Sequence, residues 1–332
     1  MKITPGSVTV CGAPEGWDAH YLAELIGRVG EPVLHIARDD ARAAAMAEAL
    51  SIFAPELPVL TFPAWDCLPY DRVSPNPEIA AARMATLAAL ADGFDRPAVL
   101  LTTLNAASQR IPTPETVSDA SFIAEASQQI DIDGLITWLT GMGYNRASTV
   151  IEAGDFAVRG GIIDIFPPGE RNPVRLDFFG DVLESARRFD AESQRTLETI
   201  GRVELAPASE IIMNEGSITS FRRRYREIFG AARLDDPLYA AVSEGRKHQG
   251  MEHWLPLFHE TLGTIFDFLP HATVTLDAQV DEALGTRVEM VADHYDARHE
   301  ALEMAGKHDV PYRPLTPDML YLDRDAWQGA LG

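Results

Sequence analysis

Residues 32–63 read PVLHIARDDARAAAMAEALSIFAPELPVLTFP, and the class of fold follows from them. Pro32 to Ala37 and Val59 to Pro63 are short apolar runs rich in branched residues, which suit strands buried on both faces. Between them Asp39-Asp40 opens an alanine-rich stretch with Met46, Leu50 and Phe53. This is a helix whose acidic start is favoured by its dipole. Working outward, Ser7 to Gly12 (SVTVCG) and Ala98 to Leu104 (AVLLTTL) are strands of the same type. Leu22, Leu25, Ile26 and Val29 fall at i, i+3, i+4 and i+7 of a helix. Asn76-Pro77-Glu78 opens another, with an N-cap, a proline in the first turn and an early acid. Strands alternating with helices predict an α/β body with a parallel sheet and crossover helices.

The pattern changes at about residue 120. Phe122 to Ala126 is a strand and a short helix surrounds Leu135 and Trp138; strand-like pieces then dominate at 149–152, 161–166, 174–179 and 182–189. Gly180-Asp181 fits a two-residue hairpin turn, because glycine tolerates positive φ. From about 207 helical patterns return, with irregular stretches around Pro256, Pro270 and Pro311, and Ala272 to Leu276 (ATVTL) predicts one more buried strand. The expected division is therefore 1–119, a small strand-rich α+β unit at 120–206, and 207–332. No internal repeat interrupts it.

Composition limits the function classes. Hydrophobic residues make up 46 % of the 332, enough for ordinary cores. The start, Met-Lys-Ile-Thr-Pro-Gly, lacks the apolar segment of a signal peptide, and no apolar run reaches the roughly 18 residues of a membrane span. A cytoplasmic location without membrane contact is expected. Two cysteines, Cys11 and Cys67, make neither a disulfide framework nor a four-ligand zinc site. A formal charge of −22 opposes non-specific binding to a phosphate backbone.

Chemistry that an α/β body often carries is missing. The first strand-to-helix loop, Gly12-Ala13-Pro14-Glu15-Gly16-Trp17-Asp18, keeps two glycines but has no Gly-Lys-Ser/Thr. The lysine for phosphates and the hydroxyl for Mg²⁺ are absent, and Glu15 and Asp18 add negative charge. Gly12 and Gly16 thus mark a degenerate loop, and no cofactor is expected. Among nine histidines, His259-Glu260 begins like a zincin motif, but Gly263 stands where the second histidine should be. His294 and His299 are five apart, off the i, i+4 spacing of helical ligands. No metal site and no Gly-x-Ser-x-Gly elbow is predicted.

One strand carries a binding signal. In Val174-Arg175-Leu176-Asp177-Phe178-Phe179, alternation puts Val174, Leu176 and Phe178 on one face and Arg175, Asp177 and Phe179 on the other. A hairpin at Gly180-Asp181 sets Phe179 opposite Val182, Asp177 opposite Glu184 and Arg175 opposite Ala186. Leu183 and Phe189 then join the first face as core. An aromatic beside an arginine on a polar face has the composition of a protein-binding hot spot. A plain surface strand has it too, with Phe179 packed under the next loop and Arg175 paired with Asp177 or Glu184. Arg159, before Gly160-Gly161, is placed to join such a patch. Residues 151–206 hold eleven acids and seven arginines, so a partner meets placed arginines and not a basic field.

Three blocks of sequence carry a resemblance: Phe62-Pro63-Ala64-Trp65-Asp66-Cys67-Leu68-Pro69-Tyr70-Asp71 with Ser74 to Ile79, Arg83 and Leu87; Gly154 to Pro167 continued through Arg175 to Phe179, Phe189-Asp190 and Ser193 to Thr196; and, more weakly, Gly250 to Phe258. In this order they resemble the N-terminal, UvrB-homologous region of the bacterial transcription-repair coupling factors (Mfd). The middle block is shared more loosely with UvrB. The resemblance implies a degenerate helicase-like body, domains 1a and 1b, with domain 2 inserted. It implies that domain 2 binds UvrA and that Arg159, Arg175 and Phe179 make that contact. It implies that RNA polymerase and DNA are engaged only by later domains, outside these residues. UvrB's DNA-inserting hairpin has no counterpart, since Pro69 to Glu78 is short and proline-rich. The expected function is a non-catalytic adaptor that recruits UvrA for nucleotide excision repair. The competing reading is a nucleotide-binding, UvrB-like helicase fragment acting on damaged DNA, and the Gly12–Asp18 loop speaks against it. Titration with a fluorescent ATP analogue is expected to show no saturable binding; a micromolar Kd abolished by mutating residues 12–18 contradicts the degenerate-loop reading.

Overall fold

The computed structural model describes residues 8–12, 16–94, 96–232, 236–306 and 312–331. Its strands, in chain order, are β1 (Val33–Ala37), β2 (Val59–Phe62), β3 (Val99–Thr103), β4 (Phe122–Glu125), β5 (Asn145–Arg146), β6 (Asp155–Arg159), β7 (Ile162–Ile165), β8 (Val174–Phe179), β9 (Val182–Phe189), β10 (Thr196–Ile200), β11 (Arg202–Leu205) and β12 (Thr273–Leu276). The α-helices are α1 (Trp17–Val29), α2 (Asp40–Phe53), α3 (Pro77–Asp92), α4 (Leu104–Ala107), α5 (Pro114–Asp119), α6 (Ile132–Gly141), α7 (Glu215–Phe229), α8 (Pro237–Ser243), α9 (Val280–Met304) and α10 (Arg324–Leu331).

The parallel sheet has the order β12-β1-β3-β2. Its strands come from both sides of the strand-rich stretch, so the α/β body is interrupted by an inserted unit. Both faces are covered, as continuous apolar strands require. Leu22, Leu25 and Ile26 of α1 with Met46 and Leu50 of α2 pack on Val33, Val99 and Leu101. Met84, Leu87 and Leu90 of α3, Leu284 of α9 and Trp327 of α10 pack on Leu34, Ile36, Phe62 and Leu100. The helix starts follow the sequence: Asp39 caps α2 by accepting from the Arg42 amide, and Asn76 caps α3 through the Glu78 amide, with Pro77 in the first turn.

Several elements differ from expectation. Val8 to Cys11 forms no strand, and Val8 and Val10 are exposed; the run gains no burial because neither strand edge of the sheet pairs with it. Residues 149–152 are irregular. There the Asp155 carboxylate accepts from the Glu152 amide at 3.2 Å, a local turn that competes with strand pairing. The strand instead begins at Asp155. The stretch 272–276 forms β12, but as a half-buried edge beside β1. β5, β6 and β10 have no clear apolar alternation to announce them, and in β11 the alternation lasts only four residues.

A buried polar hub joins the inserted unit to the body. The Arg83 guanidinium on α3 donates to Glu210 from Nη2 at 2.8 Å and Nε at 3.1 Å, and Nη1 donates to the Pro63 carbonyl at 2.7 Å. Trp65 Nε1 donates to the same carboxylate at 2.7 Å, and the ring of His259 meets the Glu210 carbonyl at 2.8 Å. Glu210 lies just past β11, where the chain leaves the inserted unit. The 62–75 loop is also gripped from the third segment. The Gly250 amide donates to Ser74 Oγ at 2.8 Å, and a Cβ at Gly250 would lie 2.8 Å from the Arg72 carbonyl carbon. His253 lies between the rings of Trp65 and Tyr70, and burial holds its imidazole neutral, with a pKa of about 4. The first and third blocks of the resemblance are thus one packed unit. Glu210→Ala is expected to cost about 3–5 kcal/mol in chemical denaturation, because it strands the buried guanidinium. The double change Arg83→Met, Glu210→Leu is expected to cost less than either single change; additive losses would show that the pair does not act as one.

Candidate partner-binding face

The six-stranded sheet, β10-β9-β8-β7-β6-β5, has one face on a core and one outward. Phe156, Ile163, Ile165, Val174, Leu176, Leu183 and Ala186 point into the core with Leu135 and Leu139 of α6 and Val203 and Leu205 of β11. The opposite face is read directly from the register. One row crosses Ala157, Asp164, Arg175 and Arg187; the next crosses Arg159, Ile162, Asp177 and Ser185; Phe179 and Val182 follow at the hairpin end. Arg159, Arg175 and Phe179, twenty positions apart at most, therefore share one face of one sheet. Gly180 supplies the turn with φ of 59°.

A bulge changes the predicted pairing. Phe179 does face Val182, but Asp177 faces Ser185 and Arg175 faces Arg187, because Glu184 is an extra residue in β9. The bulge keeps Leu183 and Ala186 on the core face and turns Arg187 and Phe189 outward. Phe189 is accordingly not part of the main core. It forms a small cluster with Val150 and Ala157.

Each predicted residue has a distinct setting. Arg175 pairs with neither Asp177 nor Glu184. It makes a two-pronged bond to Asp164, Nε to Oδ1 at 2.7 Å and Nη2 to Oδ2 at 2.9 Å, with its guanidinium 4.6 Å above the Phe189 ring. Asp164 is 1 % exposed, so Arg175 is its obligatory counter-ion. The bond to Asp164 raises the Arg175 pKa and keeps the guanidinium charged. Arg159 is exposed and donates to two neutral acceptors, the Ser148 carbonyl at 2.6 Å and Thr149 Oγ1 at 3.2 Å. Phe179 is 76 % exposed, which excludes packing under the next loop. Sequence reading missed Asp164, Phe189 and Arg187. Strand alternation could have found Asp164 opposite Arg175, whereas the other two depend on the bulge.

The Gly12–Asp18 loop has a different character. Gly16 caps α1 in the left-handed region, φ 81°, while residues 13–15 lie outside the described ones. Asp18, in the first turn of α1, is bonded by Arg42 of α2, whose Nε also donates to Asp277 beyond β12 at 3.1 Å. A side-chain ion cluster thus occupies the C-terminal edge of the sheet. The three candidate ligand histidines have local partners instead: His259 meets the Glu210 carbonyl, His294 Nδ1 the Met290 carbonyl, and His299 lies 3.6 Å from Glu303. Among the described residues no group of His, Cys, Asp and Glu could hold a metal, and no helix is long and apolar enough to cross a membrane.

An interrupted α/β body carrying a separate strand-rich sheet defines a class, and comparison with known proteins identifies it. Residues 123–211 match the UvrB interaction domain family. The chain is 33 % identical over 312 residues to the transcription-repair-coupling factor of Haemophilus influenzae, covering 93 % of this chain and 26 % of that protein. It is 35 % identical over 260 residues to that of Escherichia coli, covering 78 % and 22 %. To that of Myxococcus xanthus it is 36 % identical over 293 residues, covering 82 % and 24 %. The chain belongs to the transcription-repair-coupling factor family, and it spans about a quarter of the length of these relatives.

The face separates two kinds of side chain. Arg175→Ala is expected to lose about 3–5 kcal/mol of stability, because Asp164 is left buried and unpaired. Phe179→Ala is expected to leave stability within about 0.5 kcal/mol, as an exposed substitution does. Thermal melts of both variants check this; equal destabilisation contradicts the assignment.

Proposed function

We propose that the chain recruits UvrA through the outer face of the six-stranded sheet, with Arg159, Arg175 and Phe179 as the contact, and that it does so in the cytoplasm as a non-catalytic adaptor. The observation that carries this reading is Phe179. A large aromatic side chain left 76 % exposed on a sheet face, flanked by placed arginines, has no role in the fold. Phenylalanine offers a desolvated anchor and arginine a planar fork for carboxylates. The match to the UvrB interaction domain over 123–211 supports the same unit. In the proposed division of labour, 1–119 and 207–332 form the body, domains 1a and 1b, and 120–206 is the partner-binding unit. RNA polymerase and DNA are left to parts of the coupling factor outside these residues. The unit's core also draws on Ala208 and Ile212, so a separately expressed unit needs to run to about residue 213.

Calorimetric titration against purified UvrA tests the reading. Phe179→Ala is expected to weaken binding by about 1–4 kcal/mol with an unchanged melting transition. Arg159→Ala, whose partners are neutral, is expected to act in the same direction. Wild-type affinity in a folded Arg159→Ala, Phe179→Ala double variant refutes the proposed face.

A further inference from the structure

Arg175 and Arg187 lie directly opposite each other on β8 and β9, an arrangement that like charges disfavour. Each is compensated by its own carboxylate, but in different ways. The Arg175 side chain is 20 % exposed, and its acid, Asp164, is buried. The Arg187 side chain is 37 % exposed and pairs with Asp177, which also accepts from Ser185 Oγ at 3.1 Å. An ion pair of this partly solvated kind stabilises a fold little. Asp177 lies in the row of Arg159, two residues before Phe179 on the same strand face. Arg187 therefore projects between the aromatic anchor and Arg175, on a face where its guanidinium can be handed to another carboxylate at small cost.

We propose that Arg187 is a further UvrA-binding residue, one that reads a carboxylate of the partner, with Asp177 standing in for that carboxylate in the free chain. The proposal rests on the reading that this face binds UvrA. Charge supports the chemistry of the occupant. The chain carries −22 overall and eleven acids within residues 151–206, so an acidic partner group is repelled except where arginines are placed. Asp177, which also accepts from the Ser185 hydroxyl, holds Nη2 of Arg187 in the outward row before the partner arrives, which lowers the ordering cost of binding. Asp177 takes only Nη2 of Arg187, and Nε has no partner among the described residues; a planar guanidinium with a free donor can serve a second carboxylate, as a lysine ammonium cannot do in the same geometry.

The experiment is calorimetric titration of the 332-residue chain against UvrA at low and high salt, with a melting curve for each variant. Arg187→Ala is expected to weaken binding about ten-fold or more at low salt, to flatten the salt dependence, and to leave the melting transition in place. Arg187→Lys, which retains a charge for Asp177, is expected to stay folded and not to restore affinity. Loss of affinity in Phe179→Ala with full affinity in Arg187→Ala overturns the Arg187 assignment and leaves the face intact. Full affinity in both variants overturns the face itself. If Arg187→Ala melts early, Arg187→Lys decides: folded and weak supports the contact, folded and tight refutes it.

Discussion

The buried pair of Arg83 and Glu210 is the constraint on which the relation between the two sheets depends. A guanidinium and a carboxylate withdrawn from water must satisfy each other and their remaining donors, or the desolvation cost exceeds the attraction. Here the remaining positions are filled by the Pro63 carbonyl, the Trp65 indole and the ring of Phe62 beneath the guanidinium, 4.1 Å from its centroid. Because the geometry allows few alternatives, it fixes helix α3, the 62–65 loop and the chain leaving β11 in one arrangement. Lys247 adds a second tie, donating to the Gly143 carbonyl at 2.7 Å and Asn145 at 3.0 Å. The inserted unit is thereby held within its first half, at Gly143 and Asn145, and where it ends, at Glu210.

That outer face combines rigidity with exposure. Asp164 could not stay buried without Arg175, and Arg175 in turn is levelled against Phe189. The scaffold under the face is therefore set by internal electrostatics. Phe179, at the turn end of the β8–β9 hairpin, is under no such demand. In the proposed contact the ordering cost is met within the fold, while the most apolar group of the face is left to the partner. The cluster of Asp18, Arg42 and Asp277 shows the opposite case. Where a nucleotide-binding relative of the fold has a phosphate loop, this chain has charged side chains that answer one another.

Much of this was legible in the sequence, and the reasons are local. Caps at Asp39 and Asn76, the i, i+3, i+4 spacing in α1, and the apolar runs of β1, β2 and β3 each report their environment within a few residues. Val8 to Cys11 misled because an apolar run says nothing about whether a strand edge is available to it. Residues 149–152 misled because a single side chain, Asp155, ties the backbone into a turn. β10 was silent because a strand exposed on nearly every position carries no alternation to read, and β11 because its alternation, Arg202 to Leu205, lasts only four residues.

The sequence by itself determined the class of the body, the insertion, and the placing of Arg175 and Phe179 on one strand face, since a period of two is intrinsic to an extended chain. It also determined that Gly12 to Asp18 carries no Gly-Lys-Ser/Thr, which is a matter of which residue types are present. Tertiary structure alone decided which acid holds Arg175 and where Arg187 and Phe189 point. One extra residue at Glu184 reverses the alternation of everything after it in β9, and nothing in the local pattern announces a bulge. It also decided that Arg83 and Glu210, 127 positions apart, would meet in the interior. A long-range ion pair of that kind depends on how the sheets pack, and packing is a property of the whole chain.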